Sequence, residues 1–322
     1  MKKIFLLLAV IVSLNLMATE GALPGKFSVA ADKQVYFSQG NLQYHQDKAA
    51  AHDDHFAFAE HQYTIIGKEG NEGIDKVPCT IDLFGWGTGN SPRETSTDDA
   101  DYAEFHEWGN NRIRNGGNEA NLWRTLTKDE WVYLFYDRAN AATLFGLGSV
   151  NGVNGTILLP DNWVLPAGAS FTASTTQGLE DQGSDYHNNN GNNFSHNTYS
   201  AKQWATMESA GAVFLPAAGD RIGTDVLNVG SDGRYWSASP SGTGIAHYLY
   251  FGLYDLGPQY GYYRDNGQSV RLVQDVDAVE GIEEPNPDPS LKGRGQKVLR
   301  DGQMYIIRGN KTYTVTGQEL SR

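Results

Sequence analysis

The stretch WRTLTKDEWVYLF, residues 123–135, carries a complete helix-start signal. Thr127 as N-cap with Glu130 three positions on makes a capping box, and Leu126 and Trp131 stand where a hydrophobic staple belongs. Trp131, Leu134 and Phe135 then share one apolar face at helical spacing. The arrangement recurs at Ser200: Gln203 completes the box, Tyr199 and Trp204 supply the staple, Met207 extends the apolar face, and Gly211 marks the stop. Around these two helices the chain reads as short strands broken by Gly and Asn turns. Residues 26–43 place Val35 and Phe37 on one side, with a join at Gly40 and Asn41. A strand or two fall within 56–66, followed by 156–159, 212–215 and a run of strands to Val273. This predicts an α+β fold class, two helices packed on short antiparallel strands.

The chain opens with Lys2 and Lys3, an apolar run from Ile4 to about Leu16 and small residues around Ala18, the three-part pattern of a signal peptide over residues 1–18. The run is short for a membrane anchor and is interrupted by Ser13 and Asn15. The expected location is therefore the cell surface or the extracellular space, reached through the periplasm. Cys79 is the single cysteine, so no internal disulfide can form and stability must come from the core. All seven Trp lie between Trp86 and Trp236, which places that core. With 25 basic against 38 acidic residues, net −13, the chain repels phosphate backbones, and nucleic acid is not an expected partner.

An even mixture of aromatics, Gly and Asn over 25–275 reads as one domain. Residues 276–296 turn acidic, then Gly-rich, with three prolines and no apolar period, as a linker does. Within 297–322, β-prone runs at 304–307 and 312–315 around Gly309 and Asn310 predict a C-terminal β-hairpin.

Chemistry-bearing residues are sparse. His52, Asp53, Asp54 and His55, with His45 and His61 nearby, would hold a transition metal only if three or four of them converged; a solvated turn is the simpler reading. Asp98, Asp99, Asp101 and Glu104 offer oxygens of the kind calcium takes, without the spacing of an EF-hand loop. No cofactor is expected, calcium being the one ion this composition suits. There is no GxSxG elbow, and the glycines at 146, 148 and 152 lack dinucleotide-loop spacing, so the chain is not expected to be an enzyme. The functional signal is instead compositional. Tyr248, Tyr250, Tyr254, Tyr260, Tyr262 and Tyr263, with Asp265, lie among Gly, Ser and Asn, the mixture that paratopes use for adaptable contact. The strand period of two sends Leu249 and Phe251 to one face and Tyr248 and Tyr250 to the other. With Leu249 and Phe251 in the core, the tyrosines are expected to face outward and bind a glycan or a protein.

Three blocks carry a family resemblance: WRTLTKDEWVYLF, then AGAVFLPAAGDR, and finally GRYWSASPSG, AHYLYF and NGQSVRLV. In this order they resemble the C-type-lectin-like modules of secreted Bacteroidetes proteins, the Fibrobacter-type major paralogous domains, which are related to the formylglycine-generating-enzyme fold. The likeness covers roughly Trp86 to Val273 and implies a C-type-lectin-like fold. The last block is also similar to the variable proteins of diversity-generating retroelements, whose lectin-like domain ends in a hypervariable binding surface; here a tail follows that block. Formylglycine-generating chemistry uses a cysteine pair, and Cys79 alone does not supply one. The tail KVLRDGQMYIIRGNKTYTVTGQEL resembles the end of type IX secretion sorting signals, which implies secretion machinery as its partner. A structural or adhesin subunit of a surface assembly is the alternative to a ligand-binding protein.

Overall fold

Leu23, Phe27 and Val29 alternate with more exposed neighbours along strand β1 (Ala22–Ala30), the pattern of a strand with one buried face. In the computed structural model, residues 20–47, 55–174, 193–253 and 256–276 are described, with the backbone of 296–300, 303–308, 311–314 and 319–320. The expected signal peptide and most of the expected linker lie outside these residues. The chain divides into two units, Met1–Val279 and Glu280–Arg322.

A turn at Ala31 and Asp32 leads from β1 into antiparallel β2 (Lys33–Ser38), so the first hairpin closes earlier than Gly40. Gly40 and Asn41 instead carry the chain to β3 (Leu42–Gln46), the centre of a second small sheet. Its neighbours are β4 (His55–Phe58) and, after the single-turn helix α1 (Gly67–Asn71), β5 (Cys79–Ile81). The strand expected within 56–66 ends at Phe58. Beyond it the backbone bonds locally and to side chains, as with Thr64 N–H to His61 O and Ile66 N–H to Asp82 Oδ2, and these replace a sheet ladder.

Helix α2 (Lys128–Val132) begins with the expected capping box and runs on through a π turn to Asp137. Glu130 does more than cap. It takes a bidentate pair from Arg124 (2.8 and 2.9 Å) and a bond from Lys33 (3.0 Å), while Arg124 also reaches Asp275 (2.6 Å). A cap carboxylate thus ties the helix to β2 and, through Arg124, to Asp275 near the end of the unit. Strands β6 (Phe145–Val150), β7 (Val153–Leu158), β8 (Thr198–Tyr199) and β9 (Val213–Pro216) form a sheet in the order β8-β6-β7-β9. Helix α3 (Ala201–Ser209), with the second capping box, packs Trp204 and Met207 on it with Ile157 and Phe214. Gly211 follows α3 at φ 100°, and a Cβ there would come within 2.8 Å of the Gly25 Cα, so both the left-handed turn and the close approach require glycine.

A hairpin of β10 (Asp220–Ile222) and β11 (Asp225–Leu227) precedes the meander β12 (Gly233–Pro240), β13 (Ile245–Phe251) and β14 (Leu256–Tyr263). Finally β15 (Val273–Asp275) pairs antiparallel with β2, joining the two ends of the unit. The result is α+β, mostly strand with few helices. Every Trp except the partly exposed Trp163 is buried.

In the second unit the expected hairpin is the middle pair of a four-stranded antiparallel meander, β16 (Gln296–Arg300), β17 (Gln303–Arg308), β18 (Lys311–Thr314) and β19 (Glu319–Leu320). Among the described residues, no helix is long and apolar enough to cross a membrane.

One buried carboxyl gives the first unit a pH signature. Asp82 is fully buried and accepts from Ile66 N–H (2.9 Å) and the Asn71 amide (2.8 Å). Burial outweighs these bonds and pushes its carboxyl up to about 6. An acid whose folded pKa lies above its unfolded one binds the proton more tightly in the native state. Its contribution to stability therefore falls as pH rises from about 4 to about 6, by ~3 kcal/mol at 1.36 kcal/mol per unit. The Asp82 carboxyl carbon should titrate near pH 6 by NMR; a midpoint below 4 would contradict the burial effect.

Candidate functional site

The meander β12-β13-β14 has two faces, and both are furnished. Tyr235, Leu249 and Phe251 enter the core shared with α2, β1 and β2, so the expected inward placement of Leu249 and Phe251 holds. The opposite face carries Arg234, Trp236, Tyr248, Tyr250, Tyr260 and Tyr262. Cross-strand register sets this: Tyr248 stands between Trp236 and Tyr260, Tyr250 opposes Arg234, and Tyr262 opposes Ala246. A register shift between Tyr248 and Tyr250 crowds the rings together.

Tyr248 does not face solvent. It is only 5 % exposed, and its ring lies 6.0–6.4 Å from those of Trp236, Tyr250, Tyr260 and Tyr262. The expectation of an outward Tyr248 fails because residues far upstream, including Trp86 and Trp108, build a second core against this face. Tyr250, Tyr260 and Tyr262 are half-buried at its rim, and Tyr263 is 57 % exposed with its ring 5.9 Å from that of Tyr262. Tyr254 lies outside the described residues. Asp265 is not drawn into this cluster: its electrostatic neighbours are Asp99 and Arg221.

At the centre sits Arg234, which sequence reasoning did not single out. Its guanidinium lies over the rings of Tyr262 (5.1 Å) and Tyr250 (5.6 Å), within cation–π range. Nη2 donates to Asp232 (3.2 Å), and Nη1 lies 3.3 Å from buried Asp220, whose other oxygen accepts from Asn228 (2.9 Å). Burial opposes the Arg234 charge, but Asp220 and Asp232 outweigh it and hold its pKa above the ordinary value. Burial pushes the Asp220 carboxyl up, with Arg234 acting against that. It also pushes the Tyr248 hydroxyl up, so Tyr248 remains a neutral phenol. Arg234 was visible in principle, two residues before Trp236 in the quoted block and so on the same strand face. Asp232 stands two residues before it, but nothing local in the sequence announces Asp220 as its second carboxylate.

The other chemistry-bearing residues stay apart. Among the described residues no group of three or more His, Cys, Asp or Glu is placed to hold a metal ion. His45 and His55 stack with ring centroids 5.0 Å apart, while His52, Asp53 and Asp54 lie outside the described residues. Asp98 caps the 3₁₀ turn Asp99–Tyr102 by accepting from Ala100 N–H (3.0 Å). Cys79 is buried beside Gln46 (Sγ to Oε1, 3.9 Å).

The arrangement can present aromatic faces and phenolic hydroxyls around a fixed cation, which suits recognition of a surface. Compared with protein-family models, curated proteins and solved structures, the chain matches none of them.

Proposed function

We propose that this chain is an exported, surface-displayed binding protein of C-type-lectin-like fold, holding a glycan or protein ligand against Tyr250, Tyr260, Tyr262 and Tyr263 without turning it over. One observation carries the proposal: Tyr250, Tyr260 and Tyr262 keep exposed rims while their other sides pack on Tyr248, two of them also under Arg234, and exposed Tyr263 adjoins Tyr262. Pre-ordered aromatics lose little freedom on binding, which is why such residues anchor interfaces. The ions beneath them are committed to one another, so they support a rigid surface rather than reactive groups. The tail, as a sorting signal read by secretion machinery, completes the proposal.

The test pairs stability with binding. Tyr263→Ala should change stability by about 0.5 kcal/mol or less, as exposed positions do, and Tyr262→Ala by ~1 kcal/mol through its lost cation–π contact. Each should cost about 1–2 kcal/mol of binding to a ligand drawn from glycan and host-protein arrays, read by calorimetric titration. Parent-like binding by both variants would remove the tyrosine rim as the binding surface.

A further inference from the structure

A second concave site is lined by none of the rim tyrosines, and its described lining carries two arginines and no carboxylate. The short parallel bridge between Phe56 and Ile113 builds it. Ile113 is fully buried, and Arg114 N–H donates to Phe56 O (2.9 Å), which fixes this segment beside β4. With Ile113 buried, the flanking Arg112 and Arg114 are both exposed. They line a pocket of about 550 Å³ together with His55, Tyr44 and the amides of Asn90 and Asn118. That volume falls within the ~300–1,000 Å³ typical of small-ligand sites. Among the described residues no carboxylate lines the pocket. Cations here act on one another: the neighbouring His45 has its pKa lowered by burial first, then by His55 and Arg114.

We infer that this pocket binds a small carboxylate-bearing sugar, a uronic acid in chemical class. The guanidinium of Arg112 matches a carboxylate through two parallel N–H donors. Amide side chains both donate and accept, as ring hydroxyls require, and the Tyr44 ring offers an apolar wall. A long polyanion is disfavoured, because outside this pocket it would meet a chain of net charge −13. A single anionic sugar unit needs only the local field.

The full chain is titrated with glucuronate, glucose and inorganic sulfate, following amide NMR shifts. Glucuronate is expected to perturb residues around Arg112 and Asn118 and to bind at least tenfold more tightly than either glucose or sulfate. Arg112→Ala should weaken glucuronate at least tenfold with an unchanged melting temperature, because the side chain is exposed. Tyr263→Ala should leave it unaffected, which separates this pocket from the tyrosine rim. Equal affinity for glucose would overturn the role of the carboxylate, and equal affinity for sulfate would reduce the pocket to a general anion site and overturn the sugar assignment. Glucuronate binding that survives Arg112→Ala, or no binding at all, would overturn the site.

Discussion

Truncating Trp204 to alanine is expected to cost the first unit about 3–5 kcal/mol, the range for a large aromatic removed from a core. Trp204 is 1 % exposed and packs on Phe214 (5.6 Å between centroids) and on its staple partner Tyr199 (5.9 Å). Its indole N–H also donates to Glu208 Oε2 (3.1 Å), the oxygen that accepts from Gln62 (3.0 Å). Gln62 in turn accepts from Arg271 (2.8 Å), a fully buried arginine whose pKa burial pushes down to about 10. The substitution therefore opens a cavity and removes a donor from a buried polar chain reaching β9, where Phe214 N–H also donates to Gln62. Unsatisfied groups in such a chain cost more than their bonds contribute. Urea unfolding of the parent and variant measures the difference. A loss below about 1 kcal/mol would mean that α3 does not seal the sheet it lies on.

What could be read in advance divides by the range of the interaction. Both capping boxes are contained within four residues, so Thr127 with Glu130 and Ser200 with Gln203 announce their helices without tertiary help. The strand alternation at 248–251 is equally local, and it placed Leu249 and Phe251 in the core. Periodicity states which residues share a face; it does not say whether that face is covered. The core into which Tyr248 is buried includes Trp86 and Trp108, more than a hundred residues upstream, in a region of loops and 3₁₀ turns that has no period to detect. The same reasoning explains Arg234: its place on the face follows from strand period and Asp232 stands two residues before it, but its second carboxylate, Asp220, sits on another strand. The Arg112-Ile113-Arg114 alternation was local, yet it marks a pocket only once Ile113 is seen to be buried against Phe56.

Covering that face changes the expected behaviour of Tyr248. Tyr248→Ala should destabilise by about 3–5 kcal/mol, alongside the 2–5 kcal/mol expected for Leu249→Ala, because the two side chains fill opposite cores through one strand. The loss has two parts. Removing the ring leaves a void among Trp236, Tyr250, Tyr260 and Tyr262, and it also removes the ring contacts, three of them edge-to-face, that hold those rings in place. Tyr248→Phe separates packing from the hydroxyl: it keeps the ring and its volume, so it should cost less than about 1.5 kcal/mol. If the tyrosine rim binds ligand, Tyr248→Ala should also weaken binding in the fraction that remains folded, since Tyr250, Tyr260 and Tyr262 would lose their shared support, whereas Tyr248→Phe should bind like the parent. Urea melts of the three variants, with titrations below the unfolding transition, decide the matter. A Tyr248→Ala protein as stable as the parent would mean that the second core does not close over this strand, and the rigidity assigned to the rim would go with it.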